Sequence, residues 1–311
     1  MKYWPTDIDI LSDSSHVYGY SGNKYGFDFS SHRSAPLEDL LRLVNDKRNG
    51  IDMIFCTGDL ATTGKAVDLR AALEYFELGI FEFGPIDIPI YTSFLNSKKS
   101  VLLMPGNHDR YASFGQPGSA TFQIEFRKFW QTRELKDVDY RSARKGGERV
   151  AVVAADFSLR ASKDARKVGK YPKQITSLGQ GRCYDDVIEN LKEITNRVRK
   201  KYPGTAIVWA VHYPIFEPED KLLDLNEKEK VQAAANEMNV NVIIGGHIHK
   251  SALVDCSSIQ NIIAGSCSAV DIDEGEAHEA HIINFMVEGN RITFTSREDL
   301  VFDRGMFVRV N

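Results

Sequence analysis

The strongest constraint on this chain is a set of six short apolar runs, each ending abruptly in polar or glycine-rich residues. They lie at residues 8–11, 53–56, 101–104, 150–154, 207–211 and 242–244. Such runs read as buried strands that stop at one exposed edge of a sheet. Between them, apolar residues recur at helical spacing over 37–44, 66–78, 121–130, 187–199 and 228–238. Strands alternating with helices predict a mainly parallel sheet with helices on its faces. After His249 the helical pattern stops. The segments 259–264, 281–287, 291–296 and 306–310, joined by polar turns such as Glu288-Gly289-Asn290, predict an antiparallel sheet packed on the first part.

Two stretches interrupt this scheme. Residues 14–36, with Tyr18, Tyr20 and Tyr25 among Gly19, Gly22 and Gly26, predict a hairpin or lid rather than a direct strand-to-helix turn. Residues 110–147 predict a second insertion: a Gly/Pro/Ser loop, an aromatic helix ending at Trp130 and a charged connection. The rest is expected to form one domain over residues 1–311, a size that a large α/β domain with insertions fills. With 42% hydrophobic and 26% charged residues the chain has material for a sizeable core, which excludes wholesale disorder. A net charge of −4 without a long basic run argues against nucleic-acid binding through net charge alone. Acidic residues stand where a signal peptide would carry its apolar core, and no apolar stretch approaches the ~20 residues that cross a bilayer. The expected location is therefore cytoplasmic, without membrane partners. Cys56, Cys183, Cys256 and Cys267 form neither a CxxC pair nor a dense framework, so they are expected to be reduced thiols.

Loops at the carboxyl ends of parallel strands are where α/β sheets bind ligands. Here they hold Ser12-Asp13-Ser14-Ser15-His16, then Thr57-Gly58-Asp59, then Pro105-Gly106-Asn107-His108-Asp109, then His212-Tyr213-Pro214, then Gly245-Gly246-His247-Ile248-His249. Five of the eight histidines (His16, His108, His212, His247 and His249) fall in these loops. Taken singly, a strand-end Asp is most often a turn or cap and a single His a packing residue. His247 and His249 carry more weight, because residues two apart on extended chain face the same way and both imidazoles can converge on one site. Five successive strand ends offering oxygen or imidazole ligands on one sheet edge are hard to reconcile with a purely structural role. Gly58 to Lys65 has some outward likeness to a phosphate-cradling loop, but its glycines enclose five residues and Ala66 replaces the magnesium-binding hydroxyl. That argues against a kinase or ATPase.

In this order, Gly58-Asp59, Gly106-Asn107-His108-Asp109, His212 and Gly246-His247-Ile248-His249 resemble the signature of the calcineurin-like metallophosphoesterases, D-x-H, GD, GNH(D/E), H and GHxH. The resemblance implies a four-layer α/β/β/α double β-sandwich with a two-metal site at the strand ends. It implies that Asp59 bridges two ions, that Asn107, His212 and His247 complete the shell of one, and that Asp13 and His249 hold the other. The ions would be divalent or mixed-valence transition metals, Mn, Fe or Zn, which suit carboxylate, amide and imidazole donors. Two such ions ~3.5–4 Å apart can turn a bridging water into hydroxide at neutral pH and clamp phosphate oxygens for in-line attack. His108 would face the leaving oxygen as general acid or charge stabiliser, with Asp109 orienting its ring. The first block departs from the pattern: Asp13 is followed by Ser14 and Ser15, with His16 one place late. Either the strand end bulges so that His16 reaches the first ion, or Ser15 leaves that shell short.

Subfamily features narrow the reaction by exclusion. Purple acid phosphatases carry a Tyr three residues after the bridging Asp, where this chain has Thr62, and Ser/Thr protein phosphatases carry GDxVDRG and GNHE. The Gly-Asp-Leu-x-x-x-Gly form is more similar to the cyclic-nucleotide phosphodiesterase branch. The resulting expectation is hydrolysis of a small phosphodiester such as a cyclic nucleotide. The alternatives are a phosphomonoesterase of the same fold, or a non-catalytic scaffold or regulator with an eroded metal site. Tyr20 and Tyr25, with Tyr18, Tyr111 and Phe114, are candidates to stack on a base or sugar, and Arg110 or Arg33 to meet a phosphate.

Overall fold

The computed structural model describes residues 34–46, 49–61, 63–78, 99–111, 120–130, 137–165, 179–256, 258–268 and 277–310. The apolar run at 8–11 and residues 14–33 of the expected lid lie outside them.

The apolar runs at 150–154, 207–211 and 242–244 become strands because both of their faces are buried. Glu148–Ala155 (β4), Ala206–Val211 (β6) and Val242–Gly245 (β8) form the middle of a six-stranded sheet. The other members are Val138–Lys145 (β3), Ala252–Cys256 (β9) and Ile259–Ile263 (β10), in the order β3-β4-β6-β8-β10-β9. Strands β4, β6, β8 and β10 run parallel, while β3 and β9 close the edges antiparallel. Side chains alternate between two cores, as the pleat requires. Val152, Ala154, Val208, Ala210 and Ile244 point to one face. Ala151, Val153, Ile207, Trp209 and Ile243 point to the other, where Asp185–Lys201 (α4) and Glu229–Glu237 (α5) cover them. Helix α4 lays down Val187, Leu191, Ile194 and Val198 on its buried side. Asp185 and Asp186 stand in its first turn and Arg199, Lys200 and Lys201 in its last, each complementing the helix dipole.

Across the first core lie Met53–Cys56 (β1) paired in parallel with Ser100–Leu103 (β2). Beside them stands an antiparallel sheet of Glu279–Glu288 (β11), Arg291–Asp303 (β12) and Met306–Val310 (β13). Helices Ser34–Asn45 (α1) and Ala66–Leu78 (α2) contribute to this core from outside, joined where Tyr75 Oη donates to Leu37 O at 2.7 Å. Helix α1 is tied to the last strand by Phe307 N–H donating to Asp39. The layering is helix, sheet, sheet, helix. A short parallel pair, Gly181–Arg182 (β5) and Leu225–Asn226 (β7), sits beside the strand ends. No helix among the described residues is long and apolar enough to cross a membrane, and all four cysteines are free.

Three expectations need correction. The segment 110–147 is not an insertion throughout, because β3 within it is the edge strand of the main sheet, hairpinned to β4 through Gly146-Gly147. The segment 259–264 joins the main sheet parallel to β8 and stands apart from the terminal antiparallel sheet. Within 121–130 regular helix covers only Thr121–Glu125 (α3) and continues as turns, with Phe122 and Phe126 stacked at 4.6 Å and Trp130 edge-on to Phe122.

Candidate metal centre

Strand β1 ends at Cys56, β2 at Leu103, β6 at Val211 and β8 at Gly245, and the loops that follow converge. Gly58 and Gly106 permit the convergence. A Cβ on Gly106 would stand 2.1 Å from Asp59 Oδ1, and one on Gly58 would stand 2.5 Å from His212 Nδ1. Neither space admits a side chain. The loops also bend the backbone into an unfavourable region: Asp59, His247 and His249 have φ of 53°, 74° and 57°. Left-handed backbone at non-glycine residues carries strain that clusters at functional sites.

Asp59, His212 and His247 bring ligand atoms within 4.8 Å of one another. The His212 Nδ1–H donates to Thr57 O at 2.7 Å, since a carbonyl only accepts. In that tautomer the Nε2 lone pair faces Asn107 Oδ1 at 2.9 Å and Asp59 Oδ2 at 3.3 Å. Three acceptors thus point at one place, an arrangement that is stable only with a proton or a cation between them. The spacing fits a cation: metal–ligand distances of about 2.1 Å put neighbouring ligand atoms about 3.0–3.4 Å apart. His247 uses the opposite tautomer, with its Nε2–H donating to Gly179 O at 2.7 Å, which leaves Nδ1 free. Each imidazole is thus oriented by a backbone carbonyl, as supporting contacts around metal ligands commonly do. The His212 and His247 rings meet at 4.7 Å, and His249 opens onto the same cavity as Asp59, His212 and His247.

The electrostatics agree. Burial pushes the Asp59 carboxyl up, but the His212, His108 and His247 imidazoles outweigh it and hold the group well below the ordinary carboxylate range. Burial lowers His212, yet Asp59 and the Thr57 carbonyl raise it above its ordinary value. For His247, burial and then the charge of His212 push the pKa well below normal, so its imidazole stays neutral and ready to ligate.

His108 is half-buried beside this cluster, and its backbone N–H donates to Asp59 Oδ1 at 3.0 Å. Asp109 differs from expectation. Its carboxylate accepts from the backbone N–H groups of Leu60, Ala61 and Gly106 at 3.1, 2.9 and 2.8 Å, so it fastens two loops together instead of orienting the His108 ring. Burial and then the charge of Asp59 push it up to about 7, against the pull of those three amides. Arg110 also departs from its expected role. Its guanidinium is buried, pairs with Asp156, reaches Gln123 Oε1 and stacks 5.5 Å from the Phe122 ring, so it faces no substrate phosphate. Tyr111, expected to stack on a substrate, is only 2% exposed. Asp13, His16, Tyr20 and Tyr25 lie outside the described residues.

Asp156 was missed, although it follows β4 as the other candidates follow their strands. Its Oδ1 accepts from Ser158 N–H, and Ser158 Oγ in turn donates to Gly106 O at 3.3 Å. The first polar residue after each apolar run is the signal that marks it. Thr57 and Gly179 act through main-chain carbonyls, for which sequence has no signature.

A family model described as calcineurin-like phosphoesterase matches residues 8–251. Among solved structures, a dimetal phosphatase from Danio rerio aligns at 12% identity and a TM-score of 0.49 over 85% of this chain and 87% of its own. A putative 5'-nucleotidase from Staphylococcus aureus aligns at 15% and 0.47, covering 87% of this chain but 49% of its own. GAP50 of Plasmodium, described as the anchor in the inner membrane complex, aligns at 11% and 0.50 over 91% of this chain and 86% of its own, which shows a shared fold. No curated protein matches the chain in sequence.

Proposed function

The chain belongs to the calcineurin-like phosphoesterase family, and on that premise we propose that it hydrolyses a small phosphodiester such as a cyclic nucleotide. The centre would be built on Asp59, Asn107, His212 and His247, with His249 and Asp13 toward a second ion and His16 or Ser15 at the displaced position. The observation that carries this reading is the convergence of His212 Nε2, Asn107 Oδ1 and Asp59 Oδ2 on one point. Two divalent ions held there would supply Lewis-acid activation of water and neutralise charge on the phosphate oxygens. The rest falls to side chains. Asp59, which clusters with His212 and His247 among the described residues, is kept ionised by the imidazoles around it and so stays available as a bridging ligand. His108 sits half-exposed at the cluster, suited to deliver a proton to a departing alkoxide. Tyr20 and Tyr25 are the proposed stacking residues for a base. With Arg110 turned inward, the phosphate is left to the metal centre and His108.

The test begins with metal. After incubation with Mn, Zn or Fe, the protein should retain metal through desalting and hydrolyse bis(p-nitrophenyl) phosphate faster than p-nitrophenyl phosphate. Bound metal with faster monoester turnover would replace the diester reading by a phosphomonoesterase. Neither metal nor turnover would leave a scaffold, the kind of role in which GAP50 is described as an anchor.

A further inference from the structure

With its Nε2–H given to Gly179 O, His247 would offer the metal centre its Nδ1, and that single hydrogen bond is too little to aim it. The bond, 2.7 Å long, fixes one atom of the ring. An imidazole held at one atom can still swing about that point and carry Nδ1 away from the other donors. The plane of the ring has to be set by what packs against it. His212 supplies one contact, at 4.7 Å between ring centroids and 60° between planes. Tyr213 supplies another, at 4.8 Å and 67°. The Tyr213 ring also meets that of His212 at 5.0 Å and 76°. Three rings thus stand mutually edge to face, an arrangement that aromatic pairs favour.

Tyr213 is itself clamped. It is fully buried, directly after His212. Gly181 approaches it so closely that a Cβ there would stand 2.5 Å from Tyr213 Cε2 and 2.7 Å from Cζ. The glycine cannot easily retreat, because its N–H donates to Asp224 O at 3.1 Å, its carbonyl accepts from Asn226 Nδ2 at 2.9 Å, and it bridges to Ser158. Gly179, whose carbonyl holds His247, stands two residues earlier on the same segment. That segment therefore grips His247 twice, directly at Nε2 and indirectly through the Tyr213 ring.

We infer that Tyr213 is a positioning residue, whose ring fixes the plane of the His247 imidazole and so aims Nδ1 at the metal centre. The inference rests on the proposed ligand role of His247, and it assigns the role to the ring of Tyr213, not to its hydroxyl.

The experiment is Mn²⁺ titration of the metal-free full chain and its variants. Tyr213→Phe keeps the ring and should bind Mn²⁺ as the wild type does. Tyr213→Leu removes the ring and Gly181→Ala displaces it, so each should weaken binding about tenfold, as loss of a contact supporting a ligand does. Gly181 is outside the left-handed region, so alanine there meets the Tyr213 ring without added backbone strain. Because both changes act through one ring, the double variant should bind as Y213L does, whereas independent effects would add. Additive losses overturn the inference, as does equal weakening by Y213F and Y213L. A merely structural role would lower the melting temperature of Y213L and G181A and leave Mn²⁺ binding by the folded protein unchanged, which also overturns it. G181A set against Y213F decides if Y213L does not fold. A second readout needs no metal. The His247 Nε2–H proton, identified by its loss in His247→Gln, should exchange slowly in the wild type and Y213F and fast in Y213L and G181A; equally slow exchange in all four contradicts the inference. If the wild type binds no Mn²⁺ while this exchange behaves as expected, the metal reading fails and the positioning of His247 stands.

Discussion

Two buried imidazoles beside carboxylates show what separates a packed histidine from a ligand. His281 on β11 donates from Nδ1 to Asp299 at 2.8 Å, and its Nε2 accepts from Gly265 N–H at 3.1 Å. Arg297 completes the group by holding Asp299. Every polar atom of that ring has a partner of the right kind. His212 has as close a neighbour at Nδ1, but its Nε2 faces only acceptors, Asn107 Oδ1 and Asp59 Oδ2. Burial and a nearby carboxylate are common to both sites. What distinguishes the second, among the described residues, is a ring nitrogen turned toward oxygens from two other strand-end loops, a convergence that suits a cation.

The contrast can be broken in four ways. Asp59→Ala should abolish metal retention and lower diester hydrolysis by more than about 10³-fold, some 4 kcal/mol of barrier, whereas His281→Ala should leave metal content unchanged. Equal metal loss in both would erase the distinction. Gly106→Ala, whose Cβ would stand 2.1 Å from Asp59 Oδ1, should weaken Mn²⁺ binding about 10- to 100-fold, measured by titration. The cost of His281→Ala should appear instead in urea denaturation, as a loss of about 1–3 kcal/mol from the Asp299 and Gly265 groups left unpaired. The smallest effect concerns pH. Burial lowers the His281 pKa below 6.5, although Asp299 opposes the shift. The unfolded chain therefore takes up this proton before the folded one, and stability should fall as pH drops through 6.5 toward the lower folded value. A His281→Asn variant should show a shallower dependence over that interval, and an unchanged slope would assign it to other groups.

Much of this was legible in the sequence where a signal had a physical origin. Strands β6 and β8 announced themselves because burial on both faces demands unbroken apolar runs. Strand β3 did not: as an edge strand reading Val-Asp-Tyr-Arg-Ser-Ala-Arg-Lys it buries only its start, and its buried Asp139 is paired with Arg141. Strand β9 alternates half-buried with exposed residues at the opposite edge, and Arg297, Glu298 and Asp299 concealed the length of β12. At the site, Asp59, Asn107, His212 and His247 could be picked out by type and order. The loop-fastening use of Asp109 and the inward turn of Arg110 could not, because a charged side chain in a motif looks the same whether it meets a substrate or the backbone behind it. The answer lay in the amides of Leu60 and Ala61 and in Asp156, contributed by distant parts of the chain, together with the amide of nearby Gly106.

The four donors do not belong to one sheet. Asp59 and Asn107 extend from the β1–β2 pair, and His212 and His247 from the six-stranded sheet that faces it across the core. An ion shared among them would be a rivet through a seam, bonded to both leaves of the sandwich. Metal loading would then be a mechanical event as well as a chemical one: the melting temperature should rise with free metal concentration. Exchange of amides flanking that seam should slow more than exchange along the outer hairpins.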